Sequence, residues 1–317
     1  MKLDPGAAEV LKQIRENNIS EWHTLEPSVG REVYHARIKL FAGSVTQVGA
    51  VSSKTIQGPG GPLALRIYSP GGVGPWPILV YLHGGGWTLG DLDSHDELCR
   101  RLCRKSECIV VAVDYRLAPE NPFPAPLDDC VAAIRWVAEH GTEFDGDVSK
   151  LAIGGDSAGG NLSAGISLYL RDHAGPSIAL QVLIYPALRA SFDLLSSHEN
   201  ATGKLLSRAD LIWFWENFLG STPPGNPYAE PGSASDLTNL PPALIITAGF
   251  DPLRDDGEVF GYQLRDAGNQ ALVKRYPGMI HGFMGLPVEL PDGRDAIALV
   301  AKTLRSAWNG DNPIKED

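Results

Sequence analysis

Short strand-like runs recur along this chain, with amphipathic stretches between them. Residues 77–82, 109–113, 151–155, 178–185 and 243–247 are apolar over most of their length, and 271–276 follows them. Runs that are apolar at successive positions belong to strands covered on both faces. Helix-period segments lie between them at 93–106, 129–140, 162–170, 258–267 and 295–308. This alternation predicts an α/β fold with a mostly parallel central sheet and helices on both faces. Ahead of it, 51–57 and 63–68 alternate apolar and polar residues around Gly58-Pro-Gly-Gly-Pro62. They read as an antiparallel pair at the start of the sheet.

Two regions break the rhythm. Asp4-Pro5 is an N-cap followed by proline in the first turn, so a helix is expected over 7–17. Residues 18–47 then read as irregular or short-helical, with Trp22, Tyr34 and Phe41 scattered along them. The second break runs from Pro186 to Pro242. It holds an aromatic helix at 210–218, with Trp213, Phe214, Trp215 and Phe218, and a proline- and glycine-rich passage at 222–232. So long an excursion between two strands reads as a lid or cap rather than a structureless loop.

The chemistry centres on 151–161, where a strand meets a helix through Gly155-Asp-Ser157-Ala-Gly159. A serine on a tight strand-to-helix turn has its hydroxyl pushed into the open, and small neighbours let other backbone approach it. A serine hydroxyl needs a base, and on a parallel sheet of this kind the order is serine, then acid, then histidine. Asp251 follows the strand ending at Thr247, and His281 follows the strand ending at Tyr276. Asp255 and Asp256 compete with Asp251, and Asp255 or Asp256 is expected to cap the following helix. Of the other histidines only His83 stands at a strand end, and it reads as a hydrogen-bonding scaffold residue. His83-Gly-Gly-Gly86 ends the strand 77–82 and supplies a loop that can present backbone N–H groups to a developing oxyanion. The expected donors are Gly85, Gly86 and Ala158, with Gly84 as a substitute for one of them. Trp87, Tyr185 and Trp213 are the expected substrate-pocket residues. Arg116 and Glu120 are expected to pair and brace the glycine loop.

Composition removes rivals. The chain has 317 residues and a net charge of −11, which argues against a nucleic-acid or anionic-membrane surface. No apolar run approaches the ~20 residues of a membrane helix. There is no cationic start leading into an apolar run, so no signal peptide is expected, and a cytoplasmic protein is the expectation. Cys99, Cys103, Cys108 and Cys130 have no histidine at zinc-finger spacing and read as reduced thiols.

Four blocks together carry a family resemblance: His83-Gly-Gly-Gly-Trp87, Asp114-Tyr-Arg-Leu-Ala-Pro-Glu120, Gly155-Asp-Ser-Ala-Gly-Gly160, and Asp251-Pro-Leu-Arg-Asp-Asp-Gly257 with His281-Gly-Phe283. The chain resembles the hormone-sensitive-lipase-like bacterial esterases of the α/β-hydrolase superfamily, in the branch with the Gly-Asp-Ser-Ala-Gly signature. The resemblance implies a helical cap from residues 1–45 and 188–225 on a hydrolase core of 46–187 and 226–317. It also implies dimerisation through the edge strand 271–276. The resulting expectation is a carboxylic ester hydrolase acting on small-molecule esters of short to medium acyl chain, with Ser157, Asp251 and His281 as its triad. No metal or organic cofactor is expected. Three alternatives remain open: an amidase or deacetylase with the same triad, a silent ligand receptor, and an interfacial lipase.

Overall fold

A computed structural model describes residues 1–17, 20–40, 44–286 and 290–314. Phe41, one of the aromatics noted above, lies outside the described residues. Among the described residues, eight strands form one sheet in the order β1-β2-β4-β3-β5-β6-β7-β8. They are β1 (Ala50–Gly58), β2 (Gly61–Ser69), β3 (Trp76–Leu82), β4 (Ile109–Val113), β5 (Gly146–Asp156), β6 (Gln181–Ile184), β7 (Ala243–Phe250) and β8 (Ala271–Ile280). β1 and β2 form a hairpin closed by the expected turn, β2 joins β4 antiparallel, and every later pairing is parallel.

Strand pleating sends alternate side chains to opposite faces. Along β3, Ile78, Val80 and Leu82 enter one core and Leu79 and Tyr81 the other. The first core is roofed by α4 (Ala125–His140) and α5 (Ala158–Asp172); the second by α3 (Asp96–Ser106) and α9 (Pro291–Trp308). A smaller core packs Phe260 and Leu264 of α8 (Arg254–Asp266) against β6 and β7. All four cysteines are buried free thiols. Among the described residues, no helix is long and apolar enough to cross a membrane.

Outside the sheet, α1 (Pro5–Glu16) starts where the Asp4 side chain accepts from the N–H groups of Gly6 and Ala7. Its Ala7, Val10 and Leu11 join the second core. The stretch expected to be irregular contains a 14-residue helix, α2 (Pro27–Leu40). Its apolar positions are few, so the burial period that betrays a helix is weak in the sequence. The excursion contributes α6 (Leu195–Glu199) and α7 (Arg208–Leu219). α7 begins at a capping box in which Ser207 and Asp210 serve each other's backbone N–H.

Asp210 also ties the two irregular regions together. Its Oδ1 accepts the backbone N–H of His23 at 3.0 Å and lies 2.9 Å from His23 Nδ1, while Ser207 Oγ donates to Glu21 at 3.3 Å. Among the described residues, Glu21, His23 and Asp210 are the one group of acidic and histidine side chains spaced to hold a metal ion. These hydrogen bonds make it a latch between the turn at Trp22–Thr24 and α7.

Candidate active site

The parallel strands end on one side of the sheet, and ligands of open α/β sheets bind beyond those ends. β5 ends at Asp156 and α5 begins at Ala158, so Ser157 is the whole turn. Its backbone is held at φ 56° and ψ −114°, a conformation that costs a non-glycine residue roughly 1–3 kcal/mol and survives only where the surroundings enforce it. The enforcement is visible. A Cβ on Gly155 would lie 2.3 Å from the Leu82 carbonyl oxygen, and one on Gly159 would lie 1.9 Å from it. Only glycine allows β3 and the elbow to approach so closely.

His281 Nε2 lies 3.0 Å from Ser157 Oγ, and its Nδ1 lies 2.7 Å from Asp251 Oδ2. The structure thus brings the three triad candidates into one hydrogen-bonded chain from residues 30 and 124 positions apart. All three are buried, Asp251 completely. Asp251 Oδ1 accepts from the Leu253 N–H, and its carbonyl accepts from Asn200 of the excursion. Tyr185 packs its ring 4.8 Å from that of His281.

Asp255 and Asp256 do not cap α8, whose N-cap is Leu253 without a side-chain cap. Their carboxylates turn outward from the helix start and hold the excursion instead. Asp255 accepts the Ser196 N–H at 2.8 Å, and Asp256 accepts the Leu188 N–H at 3.2 Å. Burial pushes the Asp256 carboxyl up to about 7 against the pull of that hydrogen bond.

Gly85, Gly86 and Ala158 line the same cavity as Ser157 and His281. None of their three N–H groups is occupied by a hydrogen bond within the described chain. Gly84 is different: its N–H donates to Asp156 at 3.0 Å. Gly85 and Gly86 have φ of +117° and +60°, and a Cβ on Gly86 would strike the Phe214 ring at 2.2 Å. His83 stacks on Tyr115, places Nδ1 against the Gly84 carbonyl at 2.8 Å, and is driven down to about 4 by burial. It is therefore a neutral support of the loop.

The expected brace of Arg116 with Glu120 is not formed. Arg116 makes a two-pronged pair with Asp129, and Glu120 makes one with Arg31 of α2. Glu120 is held by Arg31, whereas Asp129 on α4 takes the Arg116 guanidinium and also accepts the Arg116 backbone N–H. The brace of the glycine loop is Asp156, which the motif reading passed over. Its carboxylate accepts from Tyr81 Oη at 2.8 Å and the Gly84 N–H at 3.0 Å, and meets His95 Nε2 at 3.2 Å. A charged residue inside an otherwise small and apolar turn was the available signal.

The cavity above Ser157 has an empty volume of about 620 Å³, counted to its opening to solvent. Trp87 lines it, but Tyr185 and Trp213 do not. Tyr185 sits behind His281, and Trp213 faces away on α7, where Phe214 takes the cavity position. Adjacent helical positions point about 100° apart, so only one of the pair can face inward. Trp22, Tyr34 and Arg37 complete the wall from the N-terminal region.

Comparison with known proteins agrees with this architecture. An α/β-hydrolase fold family matches residues 79–285. The carboxylic ester hydrolase LipN of Mycobacterium tuberculosis is 44% identical over 74% of this chain, which spans 65% of LipN's own length. The esterase LipI of the same organism is 42% identical over 80% of this chain and 81% of its own. The ester hydrolase EH1AB1 from the metagenome of Lake Arreo, solved with a derivative of bipyridine phosphonate, superposes with a TM-score of 0.92 at 37% identity, covering 97% of this chain and 99% of its own. The chain belongs to the α/β-hydrolase fold family, in its hormone-sensitive-lipase-like esterase branch.

Proposed function

We propose that this protein hydrolyses carboxylic esters of short to medium acyl chain through an acyl-enzyme on Ser157. The observation that carries the reading is the hydrogen-bonded chain Ser157–His281–Asp251 at the floor of a cavity lined by three unoccupied N–H donors. Ser157 Oγ attacks the ester carbonyl carbon and passes its proton to His281 Nε2. The carbonyl oxygen takes up the electron pair and is held by the N–H groups of Gly85, Gly86 and Ala158, each worth about 3 kcal/mol of barrier. Asp251 fixes the imidazole with Nδ1 protonated and stabilises its cation. Collapse expels the alcohol, which takes the proton from His281. Water then attacks the acyl carbon with His281 as base, and the acid and free Ser157 are restored. No metal or cofactor enters these steps.

The helices α2, α6 and α7 act as a cap from 1–45 and 188–225 in this reading, since residues of both stretches line the cavity. A silent receptor would not need His281 placed against Ser157. The same atoms could cleave an amide, but the named relatives are esterases. β8 lies at the sheet edge, which supports pairing of two copies through it. Four buried free thiols support a reducing, cytoplasmic location.

The test is hydrolysis of p-nitrophenyl esters from acetyl to palmitoyl, with Ser157→Ala as control. Turnover should peak at short or middle chains and fall by roughly 10⁴-fold or more in the variant. A folded Ser157→Ala that keeps wild-type turnover would overturn the mechanism. A wild type inactive on every ester would overturn the reaction class.

A further inference from the structure

One side chain in the cavity wall has no role in ester hydrolysis as such. Arg37 of α2 is the single Lys or Arg among the described residues lining the cavity that holds Ser157 and His281. Among the described residues it makes no ion pair and no hydrogen bond, and its guanidinium lies over the face of Trp22, 5.3 Å from the ring centroid. A ring face orients a guanidinium without neutralising it. One helical turn earlier, Tyr34 lines the same cavity. Its hydroxyl also has no hydrogen-bond partner among the described residues, and its ring is held edge-on to Trp22 at 5.9 Å. Residues three apart share a helix face, so Tyr34 and Arg37 line the cavity side by side.

Charges taken from water are normally paired, and buried donors normally satisfied. Arg31, Arg66, Arg116 and Arg254 follow that rule, and each meets a carboxylate. Among the described residues Arg37, like Arg189 and Arg208, meets no carboxylate, and of these three half-buried arginines it is the one that lines the cavity above Ser157. The other charge on the cavity wall, Asp156, is tied up by Tyr81, Gly84 and His95, so it does not claim the guanidinium. Burial holds Arg37 below the usual arginine range, with Tyr34 and Asp210 pulling it back up. It remains a cation at neutral pH. The same burial keeps Tyr34 protonated as a donor.

We propose that Arg37, assisted by the Tyr34 hydroxyl, receives a carboxylate of the substrate, so that the site selects esters carrying a second, anionic carboxyl group. This rests on the ester-hydrolase reading of Ser157. A planar fork of N–H donors matches a carboxylate two-pronged. A site built around donors also discriminates against an isostere that leaves them unpaired. The carboxylate can belong to the alcohol part or to the acyl part of the ester.

Two matched pairs separate these sources: 4-acetoxybenzoate against 4-acetoxybenzamide, and monomethyl glutarate against methyl glutaramate. In each pair the ester type is kept, aryl acetate or methyl ester, and a carboxylate is exchanged for a neutral carboxamide of nearly the same shape. The wild type should favour the carboxylate in at least one pair by roughly tenfold in kcat/KM, the value of one charge-assisted hydrogen bond. Arg37→Gln should bring that ratio close to one, and Arg37→Lys should restore part of it. A ratio at or below one in both pairs, or a ratio that Arg37→Gln leaves in place, overturns the proposal. A wild-type measurement covers the case in which Arg37→Gln does not fold: 4-hydroxybenzoate should inhibit p-nitrophenyl butyrate hydrolysis competitively and more tightly than 4-hydroxybenzamide. Equal inhibition within this pair and also between glutarate monoamide and glutaramide overturns the proposal as well. No turnover of p-nitrophenyl butyrate by the wild type would remove the ester-hydrolase reading, and this proposal with it.

Discussion

Asp156→Asn tests how the oxyanion loop is held. The carboxylate is buried and serves three donors on three elements: Tyr81 of β3, Gly84 of the loop, and His95 before α3. Burial alone would raise its pKa, but His95 and the hydrogen bonds from His95 and Tyr81 outweigh burial and hold it below the usual carboxylate range. Asparagine keeps the shape and one acceptor oxygen but removes the charge. Each of three hydrogen bonds then drops from charge-assisted to neutral strength, about 1 kcal/mol apiece. Relief of the buried charge returns part of that, so the expected net loss is about 1–2 kcal/mol.

The sign with pH follows from the depressed pKa. The stabilisation is complete above the unfolded carboxyl value of about 3.9 and is lost as pH falls through the lower folded value. The wild-type advantage over Asp156→Asn should therefore be present at neutral pH and vanish in acid. The kinetic effect is larger than the thermodynamic one because Gly84 precedes the two donors of the loop. A displacement of about 1 Å at such donors costs up to about 100-fold, so kcat should fall about 10- to 100-fold while KM stays within about threefold. Urea unfolding across pH, with steady-state kinetics on p-nitrophenyl butyrate, measures both. A variant that loses stability at neutral pH yet keeps kcat would show that the carboxylate supports the core and not the loop.

Two further outcomes are expected. Asp256 has its folded pKa raised to about 7, so its contribution to stability is lost as pH rises from the unfolded value through 7; Asp256→Asn should flatten the profile, and urea unfolding at pH 5 and 8 should show the wild type losing roughly 2–3 kcal/mol more than the variant. Equal slopes would mean that Asp256 is ionised throughout. Gly249→Ala would place a Cβ 2.1 Å from the Pro277 carbonyl oxygen. It should cost about 1–3 kcal/mol in stability and at least about tenfold in kcat/KM with p-nitrophenyl esters; a fully active Gly249→Ala would show that the site tolerates a wider gap between β7 and β8.

The elements most visible in the sequence are those whose burial is two-sided. β3, β4 and β7 bury nearly every residue, so their composition alone announces them. The elbow was visible because Gly155 and Gly159 are required by backbone contacts that any chain making this turn must satisfy. What stayed hidden depends on partners distant in sequence. α2 exposes much of its surface, and the half-buried Tyr34 and Arg37 acquire meaning only beside Ser157. Arg116 met Asp129 rather than the nearer Glu120 because α4 brings Asp129 beneath it. Trp213 and Phe214 are neighbours of equal promise in sequence, and only the rotation of α7 decides which one faces the cavity.

The meeting of Asp251 with His281 has a local cause that the sequence pattern concealed. Pro277-Gly278 looks like the end of a strand, yet β8 continues through it to Ile280. The register shows how. Ala248 pairs with Tyr276, and after an irregularity Phe250 pairs with Ile280. β7 advances two residues while β8 advances four. Without this bulge the residue beside Phe250 would be Gly278, and His281 would lie about two residues, or roughly 7 Å, farther along. With it, Asp251 and His281 are each the next residue after a registered pair, and their side chains meet at 2.7 Å. Gly249 allows the bulge by letting the Pro277 carbonyl approach, and the Asp4 N–H fastens it from outside by donating to Gly278 O at 3.0 Å. The short contact between acid and histidine is thus inherited from sheet register, which is why a methyl group at Gly249, with no contact to substrate, should reach the chemistry.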